Sequence, residues 1–154
     1  MAVAVIQMVS GENVAQNLSC ARRLLEQAAA EGARLAVLPE NFAAMGNINP
    51  AHIASLEAQQ CGPILPWLAQ AARELGLWIV GGTVPLLAAG QLEAKPCASS
   101  LLFDQHGECV ARYDKLHLFD AAVADQQGSY KESERYRAGQ VCTVVDTPVG
   151  RLGM

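Results

Sequence analysis

Three charged residues occupy the positions where a layered α/β chain would build a site. Glu40 follows directly on the run Leu35-Ala36-Val37-Leu38-Pro39. Lys115 follows the run Cys109 to Tyr113 and is surrounded by Leu116, Leu118 and Phe119, and Glu132 lies in a polar stretch ahead of Gly139. The carboxyl ends of strands are where such folds collect functional groups. A carboxylate there can take up or return a proton, and an ammonium can stabilise negative charge beside it. Taken singly, each residue also has a plainer reading. Glu40 reads equally as a solvated loop carboxylate and Lys115 more readily as a surface lysine, while Glu132, flanked by Lys131 and Arg135, reads as one member of an exposed ion pair.

The elements that must carry these residues are legible from the hydrophobic pattern. Ala2 to Met8 is a short run rich in β-branched residues, as expected of a strand buried on both faces. Asn13 is a candidate N-cap. Val14, Leu18, Ala21, Leu25 and Ala28 then recur at spacings of four, three, four and three, one face of a helix that stops near Gly32. Leu35 to Leu38 is a second strand, which completes a βαβ opening. A helix is predicted over 63–75 with Gly76 just past its end, then a strand over 77–80 broken by Gly81-Gly82. That glycine pair matches no phosphate-loop pattern, so a bulge or close backbone approach is expected.

Beyond Ala89-Gly90 the texture changes to hairpins. Strands over 99–104 and 108–113 are joined by Gln105-His106-Gly107, and the stretch from Asp120 to Arg137 reads as a long surface segment. Val141 to Thr147 is a further strand, and Pro148-Val149-Gly150 turns the chain into Arg151 to Met154, the expected opening of another.

Composition excludes several function classes. The chain of 154 residues is 51% hydrophobic and 17% charged, enough apolar mass for one folded domain rather than a disordered segment. With a net charge of -4 and no run of basic residues, a nucleic-acid partner is not expected. The five apolar residues from Ala2 lack a basic flank and are too few for a signal peptide, and no apolar run is long enough to span a membrane. Cys20, Cys61, Cys97, Cys109 and Cys142 are odd in number and form no CxxC, so they read as small buried hydrophobes of a reducing compartment, the cytoplasm. His52, His106 and His117 are far apart and none has a paired ligand at i+3 or i+4, so no metal site is expected. His117 reads as a packed, hydrogen-bonded histidine rather than one that touches substrate.

Longer motifs join the three charged residues. Leu35-Ala36-Val37-Leu38-Pro39-Glu40-Asn41-Phe42 resembles the first signature of the nitrilase superfamily of carbon–nitrogen hydrolases, a glutamate after an aliphatic strand and proline. Tyr113-Asp114-Lys115-Leu116-His117-Leu118-Phe119-Asp120 is similar to its second, and Tyr130-Lys131-Glu132-Ser133 through Ala138-Gly139 resembles the segment with a second glutamate seven residues before a glycine. The order agrees as well, and the resemblance covers essentially the whole chain.

The resemblance implies a four-layer α-β-β-α sandwich and acyl transfer through a cysteine thioester, with no metal or organic cofactor needed. Glu40 would be the general base. Lys115 would favour the thiolate and stabilise the oxyanion, and Glu132 would orient the lysine or the substrate. A thiol with a pKa of about 8.5 is mostly protonated at neutral pH, which is why such neighbours are needed. The family's third signature carries the nucleophilic cysteine, which is expected just after Met154. None of the five cysteines present has that context, Cys142 included.

On this reading residues 1–154 are a single carbon–nitrogen hydrolase domain, incomplete at its C-terminus and inactive alone. The substrate would be a small amide or nitrile, with a lean toward ω-amides or deaminated peptides, and the complete protein would be a homodimer. A catalytically inactive binding or assembly module is the alternative. An unrelated α/β binder explains the βαβ opening but not the later motifs.

Overall fold

The computed structural model of the chain describes residues 2–88, 94–122 and 129–154. Its first half alternates strands and helices: β1 (Ala2–Val5), α1 (Val14–Ala30), β2 (Ala33–Val37), α2 (Pro50–Ala58), α3 (Ile64–Leu75), β3 (Trp78–Val80) and β4 (Val84–Leu86). The second half is built from strand pairs. These are β5 (Cys97–Phe103) with β6 (Cys109–Asp114), β7 (Asp120–Ala122) with β8 (Ser129–Lys131), and β9 (Val144–Thr147) with β10 (Gly150–Gly153), with a 3₁₀ turn over Glu132–Glu134.

β1, β2 and β3 run parallel, while β5 lies antiparallel to β3, β4 and β6. Because β6 occupies one edge of β5, β3 and β4 share the other as two lengths of one interrupted strand. α1 is capped by Asn13, whose side chain accepts from Gln16 N, and it buries Leu18, Ala21, Leu25 and Ala28. This is the face that the sequence pattern marks. Together with Leu68, Ala71 and Ala72 of α3 these residues cover one face of the sheet. On the other face Leu35, Val80 and Leu102 pack against Val145, Val149, Leu152 and Met154 of the β9–β10 hairpin. Helices, sheet and hairpin are thus successive layers of an α/β sandwich.

The structure departs from the sequence expectations in several places. β1 is the sheet's edge, so Val3 and Val5 are exposed on a strand expected to be buried on both faces. α2 was not anticipated because its apolar periodicity is weak. Its signal was local, Asn49 as N-cap with Pro50 as the first helical residue. Part of the expected surface segment from Asp120 to Arg137 is the β7–β8 pair, and residues 123–128 within it lie outside the described residues, as do Ala89 and Gly90. The strand expected after the turn at Pro148-Val149-Gly150 is present as β10, which returns antiparallel onto β9. The cysteine expectation fails for three of five, since Cys61, Cys109 and Cys142 are exposed and only Cys97 is buried. Among the described residues no helix is long and apolar enough to cross a membrane.

Candidate functional site

Glu40 is placed by a tight turn at the end of β2. Phe42 N donates to Pro39 O at 3.2 Å, and Asn41 takes a left-handed conformation (φ 55°), which asparagine tolerates better than most residues. Thr83 Oγ1 accepts from Asn41 N. Gly82 packs so closely beneath that a Cβ there would stand 2.0 Å from Pro39 O. The close backbone approach expected of the Gly81-Gly82 pair is made by Gly82, whereas a Cβ on Gly81 would meet Leu68 Cδ1 at 2.9 Å. From the other side, buried Asn17 of α1 donates to Gly11 O and Ala43 O, and Ser10 donates to Phe42 O. The carboxylate of Glu40 is therefore exposed on a turn whose backbone is held from two directions.

Lys115 extends the β6 ladder by one step, its N–H donating to Ala98 O at 3.0 Å. Its carbonyl accepts from Gly139 N at 2.8 Å. Its Nζ donates to Glu132 Oε2 at 2.9 Å and to Glu40 Oε1 at 3.2 Å, so residues 75 and 17 positions away in the chain meet on one ammonium. Glu132 sits in the 3₁₀ turn after β8. Its Oε2 also accepts from Phe119 N. With both oxygens bound by Lys115 and one held by a backbone amide, Glu132 is a fixed acceptor, whereas Glu40 has one oxygen on the lysine and is open to solvent.

The exposures give the two carboxylates different parts. The side chains of Lys115 and Glu132 are 24% and 17% exposed, that of Glu40 55%. Burial pulls the Lys115 ammonium down, but its hydrogen bonds to Glu132 and then Glu40 outweigh this and hold it above the ordinary lysine value. The lysine is thus a permanent cation at neutral pH. The exposed ion pair expected around Glu132 exists, but it joins Lys131 to Glu134 instead.

Tyr136 was not singled out by the sequence. Its half-buried phenol is pushed up by burial, eased by Arg135 and raised further by Glu132 and Glu40, so it shares the field of the cluster. The only local signal was its position inside the stretch from Glu132 to Gly139. His117 is exposed, not packed. The thiols lie elsewhere: Cys97 Sγ accepts from Arg137 Nε, and Cys61 and Cys109 donate to the carbonyls of Gln59 and Ala111. Among the described residues no group of three or more His, Cys, Asp or Glu side chains could hold a metal ion.

A fixed carboxylate and an open carboxylate thus share one cation at strand ends of a layered sandwich, an arrangement chemically able to move a proton beside a stabilised anion. The sequence profile of the carbon–nitrogen hydrolase family matches residues 2–154, and the chain belongs to that family, within the nitrilase superfamily. It is 40% identical over 152 residues to a deaminated glutathione amidase of Yersinia enterocolitica, covering 99% of this chain and 52% of the relative. It is 32% identical to a chloroplastic omega-amidase of Arabidopsis thaliana, covering 90% of this chain and 37% of that one. The C. elegans NitFhit protein superposes with a TM-score of 0.83 at 30% identity, over 99% of this chain and 36% of its own. The chain spans about half the length, or less, of these proteins.

Proposed function

We propose that the chain carries the base and the cation of an amidase that cleaves a non-peptide carbon–nitrogen bond through a cysteine thioester. The observation that supports this most is the single ammonium of Lys115 held between Glu40 and Glu132. In this reading Glu40 takes the proton of a cysteine thiol whose sulfur attacks the amide carbonyl. Lys115 balances the negative charge, first on the thiolate and then on the tetrahedral oxygen. The C–N bond breaks, the departing nitrogen takes the proton from Glu40, and ammonia or an amine leaves an acyl thioester. Water then gives a proton to Glu40 as it attacks the thioester, which releases the acid and restores the thiol. Glu132 holds the lysine and moves no proton.

In the same reading the nucleophile is the cysteine of the family's third signature, expected just after Met154, because none of the five cysteines present has that sequence context. The chain alone is then a single, catalytically incomplete unit, and the complete protein a cytoplasmic homodimer. The names of the relatives favour a small ω-amide or a deaminated peptide as substrate.

The experiment reads the coding sequence past Met154, then compares ammonia release from such amides by the 154-residue chain and by its natural extension. Release by the extended protein alone, with a trapped thioester on its added cysteine, is expected. Hydrolysis by the 154 residues, or a thioester on Cys20, Cys61, Cys97, Cys109 or Cys142, overturns the assignment. A stop codon with no cysteine-bearing strand beyond it favours the binding or assembly module.

A further inference from the structure

The segment from Glu132 to Gly139 touches Lys115 at both ends. Its first residue binds the ammonium at 2.9 Å, and its last donates a backbone N–H to the same lysine's carbonyl at 2.8 Å. Between them the segment is pinned where Arg137 N donates to Pro96 O at 2.9 Å, next to the start of β5. It is closed at its head by Arg135 N and Tyr136 N, both donating to Glu132 O. At its tail a Cβ on Gly139 would lie 2.2 Å from Asp114 O and 2.8 Å from Asp114 Cβ. Both neighbours belong to β6, with no flexible side-chain end that could yield.

We propose that Gly139 is a positioning residue for Lys115, and that the seven-residue interval from Glu132 to Gly139 is the length needed to grip one extended lysine at its carbonyl and its ammonium. Glycine is required at the tail because only a residue without Cβ brings its amide within hydrogen-bond reach of Lys115 O over the Asp114 carbonyl. Any side chain there lifts the tail off β6. The head then shifts too, because Glu132 is tied to the same short segment, and the ammonium loses its fixed carboxylate. The consequence for catalysis rests on the role proposed above for Lys115, but the positioning itself does not.

The test therefore reads the lysine rather than turnover. Acylation of Lys115 by an amine-specific reagent is followed by mass spectrometry over a range of pH, each rate divided by that of the same lysine in the urea-unfolded protein, in the native chain, Gly139→Ala, Leu25→Ala and a variant with one glycine inserted between Arg137 and Ala138. Only the free amine reacts, and each unit by which an amine's pKa falls raises its free fraction about tenfold below that pKa. Gly139→Ala and the insertion are expected to raise Lys115 labelling relative to the unfolded chain about threefold or more and to move its pH profile toward lower pH. Leu25→Ala, a core truncation in α1, should leave the ratio unchanged. Native-like labelling in the insertion variant overturns the proposal, because the interval would then not set the lysine. An equal rise in Leu25→Ala overturns it as well, because general loosening would suffice. The readout does not depend on hydrolysis, so failure here is distinguishable from failure of the amidase assignment.

Discussion

Replacing each carboxylate of the site by its amide should affect Lys115 unequally, and the inequality follows from burial. Glu132 lies 2.9 Å from Nζ with its side chain 17% exposed, Glu40 3.2 Å away and 55% exposed. An exposed ion pair contributes about 0.2–1 kcal/mol, whereas removing one partner of a fully buried pair costs about 3–5 kcal/mol. Glu132 falls between these limits, at about 1–2 kcal/mol, and Glu40, screened by water, at about 0.5 kcal/mol. Since about 1.4 kcal/mol is tenfold in a protonation equilibrium, Glu132→Gln should raise the free-amine fraction of Lys115 about tenfold and Glu40→Gln only about twofold. Site-resolved acylation between about pH 7 and pH 10 measures both.

Stability should follow the same linkage. The folded pKa of Lys115 lies above its unfolded value, so the pairing contributes stability that is complete below about pH 10.4 and lost as pH rises through the folded value. The gap in stability between native protein and Glu132→Gln should therefore narrow at alkaline pH. An effect of Glu40→Gln equal to or larger than that of Glu132→Gln would refute the argument. So would a gap that widens with pH.

Three further outcomes are expected. Gly82→Ala forces a Cβ against Pro39 O at a positive φ and should cost about 2 kcal/mol or more, read as faster amide exchange in the turn around Glu40; exchange at the native rate would contradict the close packing. Glu57 is buried and accepts from Ile64 N and Leu65 N, capping α3, so Glu57→Ala should cost about 1–3 kcal/mol, with protection lost first at those two amides. The edge strand β1 leaves Val5 80% exposed, so the isolated chain should self-associate and bind hydrophobic dyes, and Val5→Lys should reduce both in light scattering; a sharply melting soluble monomer would show that edge to be harmless.

Several elements were fixed by local chemistry and could be read directly. The α1 stripe, the Asn13 cap and the stop near Gly32 follow from 3.6-residue periodicity and capping, and the structure keeps them within a residue or two. α2 escaped because its buried residues, Pro50, Ala54 and Glu57, are not an apolar stripe: one is a carboxylate whose partners are amides of the next helix. β1 looked fully buried because its composition does. Whether a strand lies at an edge depends on pairing order, which composition does not encode. Cys61, Cys109 and Cys142 misled for a related reason, since cysteine is usually buried but its burial is decided by neighbours distant in sequence.

The candidate site divides along the same line. By itself the sequence determined the three residue types, their places at the ends of elements and the family motifs around them, because these depend on order and short spacing. The tertiary structure decided that Glu40, Lys115 and Glu132 converge on one ammonium. It also decided that Glu132 is the fixed carboxylate and Glu40 the open one, whereas Glu132 taken singly reads as a member of an exposed ion pair. Those facts depend on which strands pair, how deeply each side chain sits and where Gly82 and Gly139 let two backbones touch. Such quantities are set by packing between segments 17 to 75 residues apart, over distances that no local pattern spans.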